Sequence, residues 1–236
     1  TAYSGFDSTL NIPTTLNGYI ISGIDREAFY GNNNINKVNI PSSIAYIGCR
    51  AFAESSITSI SIPSTVTDFG ADGWNSYSTF ENCDKLTTVS FNAKTSVPNE
   101  AFCNCDALTT VTIGNSTISV GASAFKNCTS LVTVKLGNNV ESIGEAAFNN
   151  TALKSISFPA SVNYIGHAFG NTKLTTVNIP STVKEFGKST YWNDNSEPFR
   201  ECSNLVSVTF NASTSVPSFA FAKCISLKTV YIGNAT

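Results

Sequence analysis

The chain has no methionine, one histidine and two tryptophans among 236 residues, and only 13% of its residues are charged. A lone histidine, His167, removes the usual Cys/His and Ser/His/Asp nucleophilic schemes within this chain. A formal net charge of -2 supplies no basic field and argues against nucleic acid as a partner. No apolar run approaches the roughly 18–20 residues that cross a bilayer, so no membrane insertion is expected within this segment. Glycine punctuates turns and forms no phosphate loop, and no cofactor or metal pattern is present. The chain opens at Thr1 without an initiator methionine or signal peptide, which reads as a processed or trimmed piece of a longer protein. Ser, Thr and Asn are abundant, and there are 16 Phe. Low charge combined with many Phe, Val and Ile does not describe a disordered segment.

The dominant pattern is an internal repeat. A Phe, usually after Ala, recurs at Phe29, Phe52, Phe80, Phe102, Phe125, Phe148, Phe169, Phe199 and Phe221, at spacings of 23, 28, 22, 23, 23, 21, 30 and 22. Five or six residues later comes L-x-x-V-x-I, as in Leu108 to Ile113, Leu174 to Ile179 and Leu227 to Ile232. A Pro or Gly follows, as at Pro41, Pro63, Gly114, Gly137, Pro159 and Pro180. After a stretch of small residues comes Ile or Phe with Gly, as in Ile47-Gly48, Ile143-Gly144 and Ile165-Gly166, and the next Ala-Phe closes the unit.

The alternating, β-branched V-x-I predicts a short strand with Val and Ile facing inward. Pro or Gly then ends the ladder. The Gly after Ile is expected to supply a backbone angle that other residues resist. The Phe is the large inward filler of the opposite wall, and burying it is worth roughly 1.5–3 kcal/mol. Ordering costs about 1–2 kcal/mol per residue, so one short unit cannot stand alone and three or more must stack.

This unit resembles the BspA-like, Treponema-type leucine-rich repeat. The stretches Leu174 to Gly187 (LTTVNIPSTVKEFG) and Val140 to Phe148 (VESIGEAAF) carry the resemblance, and it recurs along nearly the whole chain. It implies an α/β-type leucine-rich-repeat solenoid, with short parallel β-strands on the concave side and short helical or irregular turns on the convex side. It also implies a secreted or surface-attached protein, since family members are mostly such proteins of host-associated bacteria and some protozoa, thought to bind host proteins or other cells.

A longer period overlies the short one. The spacings of 28 and 30 mark insertions around Gly70 to Thr79 and Gly187 to Pro198, each followed by nearly the same text, FNAKTSVP from Phe91 and FNASTSVP from Phe210. Phe80 and Phe199 lie 119 residues apart, so a block of five units has been duplicated. At about 4.8 Å per coil the two insertions are expected to sit roughly 24 Å apart on the same side. They hold both tryptophans, Trp74 with Tyr77 and Trp192 with Tyr191. These aromatics either anchor a partner or pack each loop onto the array. Residues 1–24 read as an N-terminal β-hairpin cap, with Leu10 to Pro13 and Ile20-Ile21 joined through Asn17-Gly18. Residues 25–236 form an array of about nine units, expected to continue beyond Thr236 because its last strand would otherwise be an open edge.

The outward strand positions form a concave strip: Lys37 and Asn39, Ser59 and Ser61, Thr88 and Ser90, Thr110 and Thr112, Thr133 and Lys135, Ser155 and Ser157, Thr176 and Asn178, Ser207 and Thr209, Thr229 and Tyr231. Thr88 through Asn178 of this strip, with the four insertion aromatics, are the candidate partner-binding residues. The strip either binds by hydrogen bonds or merely keeps the sheet soluble. Of seven cysteines, five share the slot three after Phe: Cys83, Cys105, Cys128, Cys202 and Cys224. They read as buried structural thiols, with Cys105 and Cys128, or Cys202 and Cys224, also within reach of a disulfide. His167 is expected on the outer turn facing solvent. Asp72 and Asp194 lie near Asn residues, but at no calcium-loop spacing.

Taken together these features point away from an enzyme. The leading expectation is an extracellular or cell-surface interaction and adhesion module, with a host matrix or cell-surface protein as partner. The alternatives are a structural spacer in a larger surface protein and, from the paired aromatic loops, a carbohydrate-binding module.

Overall fold

A computed structural model describes residues 8–70, 78–187 and 197–233. All the paired strands are parallel except one hairpin, and no helix occurs among the described residues. The expected V-x-I strands form the first ladder. Strands Thr9–Asn11, Lys37–Asn39, Ser59–Ile62, Thr88–Phe91, Thr110–Ile113 and Thr133–Lys135 pair in that order. Strands Thr176–Ile179, Ser207–Phe210 and Thr229–Ile232 then resume it. Register is strict: Val89 lies beside Val111 and Val111 beside Val134. This alternation buries Val89, Val111, Val177 and Val208 and turns their neighbours outward. The expectation of a strand through Ser155 and Ser157 does not hold. There the chain makes no ladder, and a single 3.3 Å bond from the Thr175 N–H to the Lys154 carbonyl links it to the next coil.

The Phe of every unit enters one stack. Nine rings, from Phe29 to Phe221, lie face to face with centroids 4.9–5.7 Å apart and planes within 13°. At that separation parallel rings are offset, the arrangement their quadrupoles favour. The seven inner rings, Phe52 through Phe199, are fully buried.

The turns that carry these rings are irregular, not helical, and the backbone shows why. The residue two after each Phe has φ between 53° and 62°: Gly31, Glu54, Asn82, Asn104, Asn127, Asn150, Asn171, Glu201 and Lys223. In seven units the residue two before the Phe is also left-handed, for example Glu100, Ser123 and Ala146. A left-handed residue every fourth position prevents a helix. It also aims alternate N–H groups at the next coil: Phe102 donates to the Ala124 carbonyl and Phe125 to that of Ala147, both at 2.8 Å. Asn tolerates this conformation best among non-glycine residues. Five asparagines use it to build an amide ladder, Asn82–Asn104–Asn127–Asn150–Asn171, with bonds of 2.7–3.0 Å.

The Ile-Gly segments form a second parallel ladder that strand propensity does not announce, because each strand is two residues long. Gly23–Ile24, Tyr46–Ile47 and Asp68–Phe69 pair in one run. Ser119–Val120, Ser142–Ile143, Tyr164–Ile165 and Glu185–Phe186 pair in another, which Val97 extends by a bridge to Val120. The expected reason for the glycines is corrected here. Gly48, Gly121, Gly144 and Gly166 have ordinary φ, and only Gly187 is left-handed, at 63°. What they provide is close approach. A Cβ on Gly48 would lie 2.4 Å from the Arg26 nitrogen, and one on Gly144 2.7 Å from that of Ala122.

At the N-terminus the hairpin pairs Thr15–Leu16 with Tyr19–Ile20 around Asn17 and Gly18, both at positive φ as a tight primed turn requires. Its strands are not those expected from the sequence. Residues Thr9–Asn11 join the first ladder instead, because Leu10 falls in register with Val38 and is buried there. Leu16, Tyr19 and Ile20 project from the array, 54–79% exposed.

All seven cysteines are free and buried. In the shared slot each thiol donates to the carbonyl of the Phe one coil back, at 3.1 Å: Cys83 to Phe52, Cys105 to Phe80, Cys128 to Phe102, Cys202 to Phe169 and Cys224 to Phe199. Burial pushes the Cys128 thiol up to about 12 and that of Cys105 well above its ordinary value. A thiol held protonated is a poor nucleophile. In native protein at pH 8, iodoacetamide should therefore label Cys105 and Cys128 at least about 100-fold more slowly than in denaturant, where all seven react. Mass spectrometry of the labelled chain measures this, and comparable rates in the two states would contradict the packing described.

Candidate functional site

The first ladder brings most of the sequence-derived residues onto one face. Register places Lys37, Ser59, Thr88, Thr110 and Thr133 side by side. Parallel to them run Ser61, Ser90, Thr112 and Lys135. Beyond the break, Thr176 aligns with Ser207 and Thr229, and Asn178 with Thr209 and Tyr231. Ser155 and Ser157 are exposed in the gap between the two runs. The strip holds a shallow depression of about 340 Å³ over Ser59, Ser61, Thr88, Ser90, Thr110 and Thr112, where small side chains face one another.

Two columns of hydroxyls run side by side here and differ in one respect. Thr58, Thr87 and Thr109, just before the strands, donate their hydroxyls to the carbonyls of Asn36, Thr58 and Thr87, at 2.9–3.1 Å. The hydroxyls of Ser59, Thr88, Thr110, Thr112 and Thr133 make no hydrogen bond among the described residues. Each can donate once and accept twice from another molecule. Sequence reasoning did not separate the columns, since both carry hydroxyl side chains. The only signal is position, because the residue before a strand can reach back to the preceding coil. Charge on the strip is confined to Lys37 and Lys135, so whatever it meets is recognised by hydrogen bonds and shape.

Trp74, Tyr77, Tyr191 and Trp192 lie outside the described residues, as do Asp72 and Asp194. His167 does not face solvent as expected. It is half-buried, and its Nε2 lies 2.8 Å from the Gly187 carbonyl one coil on. Among the described residues no group of three His, Cys, Asp or Glu side chains converges as a metal site would require. No described helix is long and apolar enough to cross a membrane. The strip offers hydrogen-bond donors and acceptors, and no acid, base and nucleophile meet on it.

Comparison with known proteins bears on this geometry. A model of the BspA type leucine-rich repeat region matches residues 3–95, 75–197 and 193–236, in six copies. No curated protein gives a significant match. Among solved structures, a leucine-rich repeat protein from Bacteroides ovatus superposes with a TM-score of 0.68 at 22% identity, covering 95% of this chain and 68% of the other. One from Eubacterium ventriosum gives a TM-score of 0.62 at 24% identity, covering 82% of this chain and 48% of the other. The chain thus spans about two thirds of the first and about half of the second. Both likenesses are to the fold.

Proposed function

The chain belongs to the BspA-type leucine-rich-repeat family, and from that premise we propose that it is an extracellular or cell-surface interaction module whose concave strip binds a host matrix or neighbouring-cell protein. The observation that carries this reading is the column of unengaged hydroxyls from Ser59 to Thr133, beside one whose hydroxyls are tied to backbone. A sheet that only needed to stay wet has no need of small, uncharged side chains over so long a run. Charged ones do that better, and this strip has two. Trp74, Tyr77, Tyr191 and Trp192 of the two insertions are further candidate contact residues, and Thr176 and Asn178 extend the strip past the gap. Residues 1–24 serve as the cap of the array formed by 25–236.

Binding to a panel of matrix and cell-surface proteins by surface plasmon resonance tests the reading. A partner should be found, and Thr88→Arg with Thr110→Arg should weaken it at least about tenfold, since a long charged side chain fills the depression. Thr87→Ala, in the tied column, should leave affinity within about twofold. Binding that survives the arginines, or no binding across the panel, overturns it.

A further inference from the structure

The second ladder stops twice, at equivalent places in the duplicated blocks. Where it runs, each coil is closed by a glycine N–H that donates one coil back: Gly70 to Ile47, Gly144 to Val120, Gly166 to Ile143 and Gly187 to Ile165, at 2.8–3.0 Å. After Phe69 the corresponding donor would be residue 98, and after Phe186 residue 217. Both are proline, which has no N–H to give.

Strands Asp68–Phe69 and Glu185–Phe186 are therefore edges. Each pairs with the coil before it, Phe69 with Ile47 and Phe186 with Ile165, and with no described residue on the other side. In a parallel pair only one of two facing residues bonds both ways. Here that residue is Ile47, whose carbonyl takes the Gly70 N–H, so the N–H and carbonyl of Phe69 itself point toward the next coil and meet no described residue there. The flanking coils are still joined just before this point, by Lys94 N–H to the Val66 carbonyl in one block and Ser213 N–H to that of Val183 in the other, both at 3.1 Å. Beyond it they part.

At the first edge the parting opens a cleft of about 360 Å³, lined by Asp68, Phe69, Thr95, Ser96, Asn99 and Ser119. Phe69 is only 7% exposed, and a buried backbone N–H or carbonyl ordinarily has a partner, which no described residue supplies here.

We propose that this cleft binds an extended segment of a partner protein, which adds as a strand to the Asp68–Phe69 edge. The Phe69 N–H donates to the incoming backbone and the Phe69 carbonyl accepts from it, replacing the two bonds that a coil without Pro98 would make. The occupant is a peptide backbone because the unmet groups are one donor and one acceptor at strand spacing. The lining is hydroxyl and amide, with Asp68 the one charged side chain, so the segment is uncharged or basic and carries small side chains where it faces Ser96 and Ser119. An acidic segment would meet Asp68 and be refused. This surface is separate from the concave strip and does not depend on it.

The probe is a phage-displayed library of random heptapeptides, selected on the full chain. The best peptide is then synthesised with single N-methyl groups at successive residues. Enriched peptides should carry Lys or Arg and no acidic residue. N-methylation should weaken binding at least tenfold at alternate residues only, because alternate amides of a strand face the same edge. The Phe69 amide should gain hydrogen-exchange protection on binding, and Thr95→Trp should abolish the interaction while thermal unfolding stays unchanged. The proposal is overturned by selection that enriches nothing beyond a Thr95→Trp chain, or by N-methyl effects without a period of two. It is equally overturned by a Phe69 amide already protected in the free protein, which would mean the chain covers this edge itself.

Discussion

Replacing Phe125 by alanine should destabilise the protein by about 4 kcal/mol, within the range of 3–5 found when a buried Phe is truncated in a core. Phe125 is fully buried and stacks on Phe102 at 5.2 Å and on Phe148 at 5.4 Å. The mutation removes its buried area and both ring contacts, each of which adds about 0.5–1.5 kcal/mol beyond area. The cavity cannot close easily, because the rings on either side are held at coil spacing by backbone bonds from Phe102 and Phe125 into the following coils. Phe125→Leu should recover more than half of the loss, restoring volume without the stack. The ends of the column provide an internal control. Phe29 and Phe221 are half-buried with one ring neighbour each, and alanine there should cost about 2 kcal/mol or less. Urea unfolding followed by circular dichroism measures all four. A repeat array is coupled through neighbours. Loss of a central ring should therefore also broaden the transition, as the blocks on either side begin to unfold separately. Equal costs at Phe29 and Phe125 would contradict a continuous core.

Gly144→Ala should be nearly as damaging, about 3 kcal/mol, although it adds a single methyl group. Its Cβ would lie 2.7 Å from the Ala122 nitrogen, 2.8 Å from the Gly121 carbonyl carbon and 3.0 Å from the Val120 oxygen. All three are backbone atoms of the preceding coil, which cannot rotate aside. The coils must separate, and the 2.8 Å bond from the Gly144 N–H to the Val120 carbonyl lengthens or breaks. Gly170→Ala is the contrast. Its Cβ would meet only the Asn149 side chain, at 3.3 Å, and it should cost less than about 1 kcal/mol. Gly144→Asn separates the two explanations of the conserved slot within this chain. If a left-handed backbone were needed there, Asn would be tolerated better than Ala. If close approach is the reason, Asn should be at least as harmful. Thermal unfolding of the three variants decides it.

The two changes probe features that the sequence displays unequally. The Phe column was legible because a large apolar residue recurring every 21 to 23 positions, or 28 and 30 across the insertions, has one economical explanation, a shared wall of stacked coils. The cysteine slot was legible for a related reason, since Cys, Ser and Thr interchange only where space is small. Gly144 was legible as a required glycine, but its reason was not. Left-handed backbone and close approach both select glycine, and only the position of Ala122, 22 residues earlier, distinguishes them. The outward positions of the strands were legible from Thr88 to Lys135, where V-x-I alternation assigns them. It was misread at Ser155 and Ser157, where the same alternation is present but the neighbouring coils do not close on it.

By itself, then, the sequence determined the repeat, the inward faces of its strands, the ring column, the duplication and the hydroxyl character of the outer strip. These follow from which residue types recur at which interval, and an interval is a property of one chain read in order. Tertiary structure alone decided the second ladder, the amide ladder from Asn82 to Asn171, the Asp68–Phe69 edge and which threonines keep a free hydroxyl. Each of those is a contact between one coil and the next. Its partner lies some twenty or more residues away, at a distance set by stacking, and no local propensity of a two-residue strand or a single asparagine encodes it.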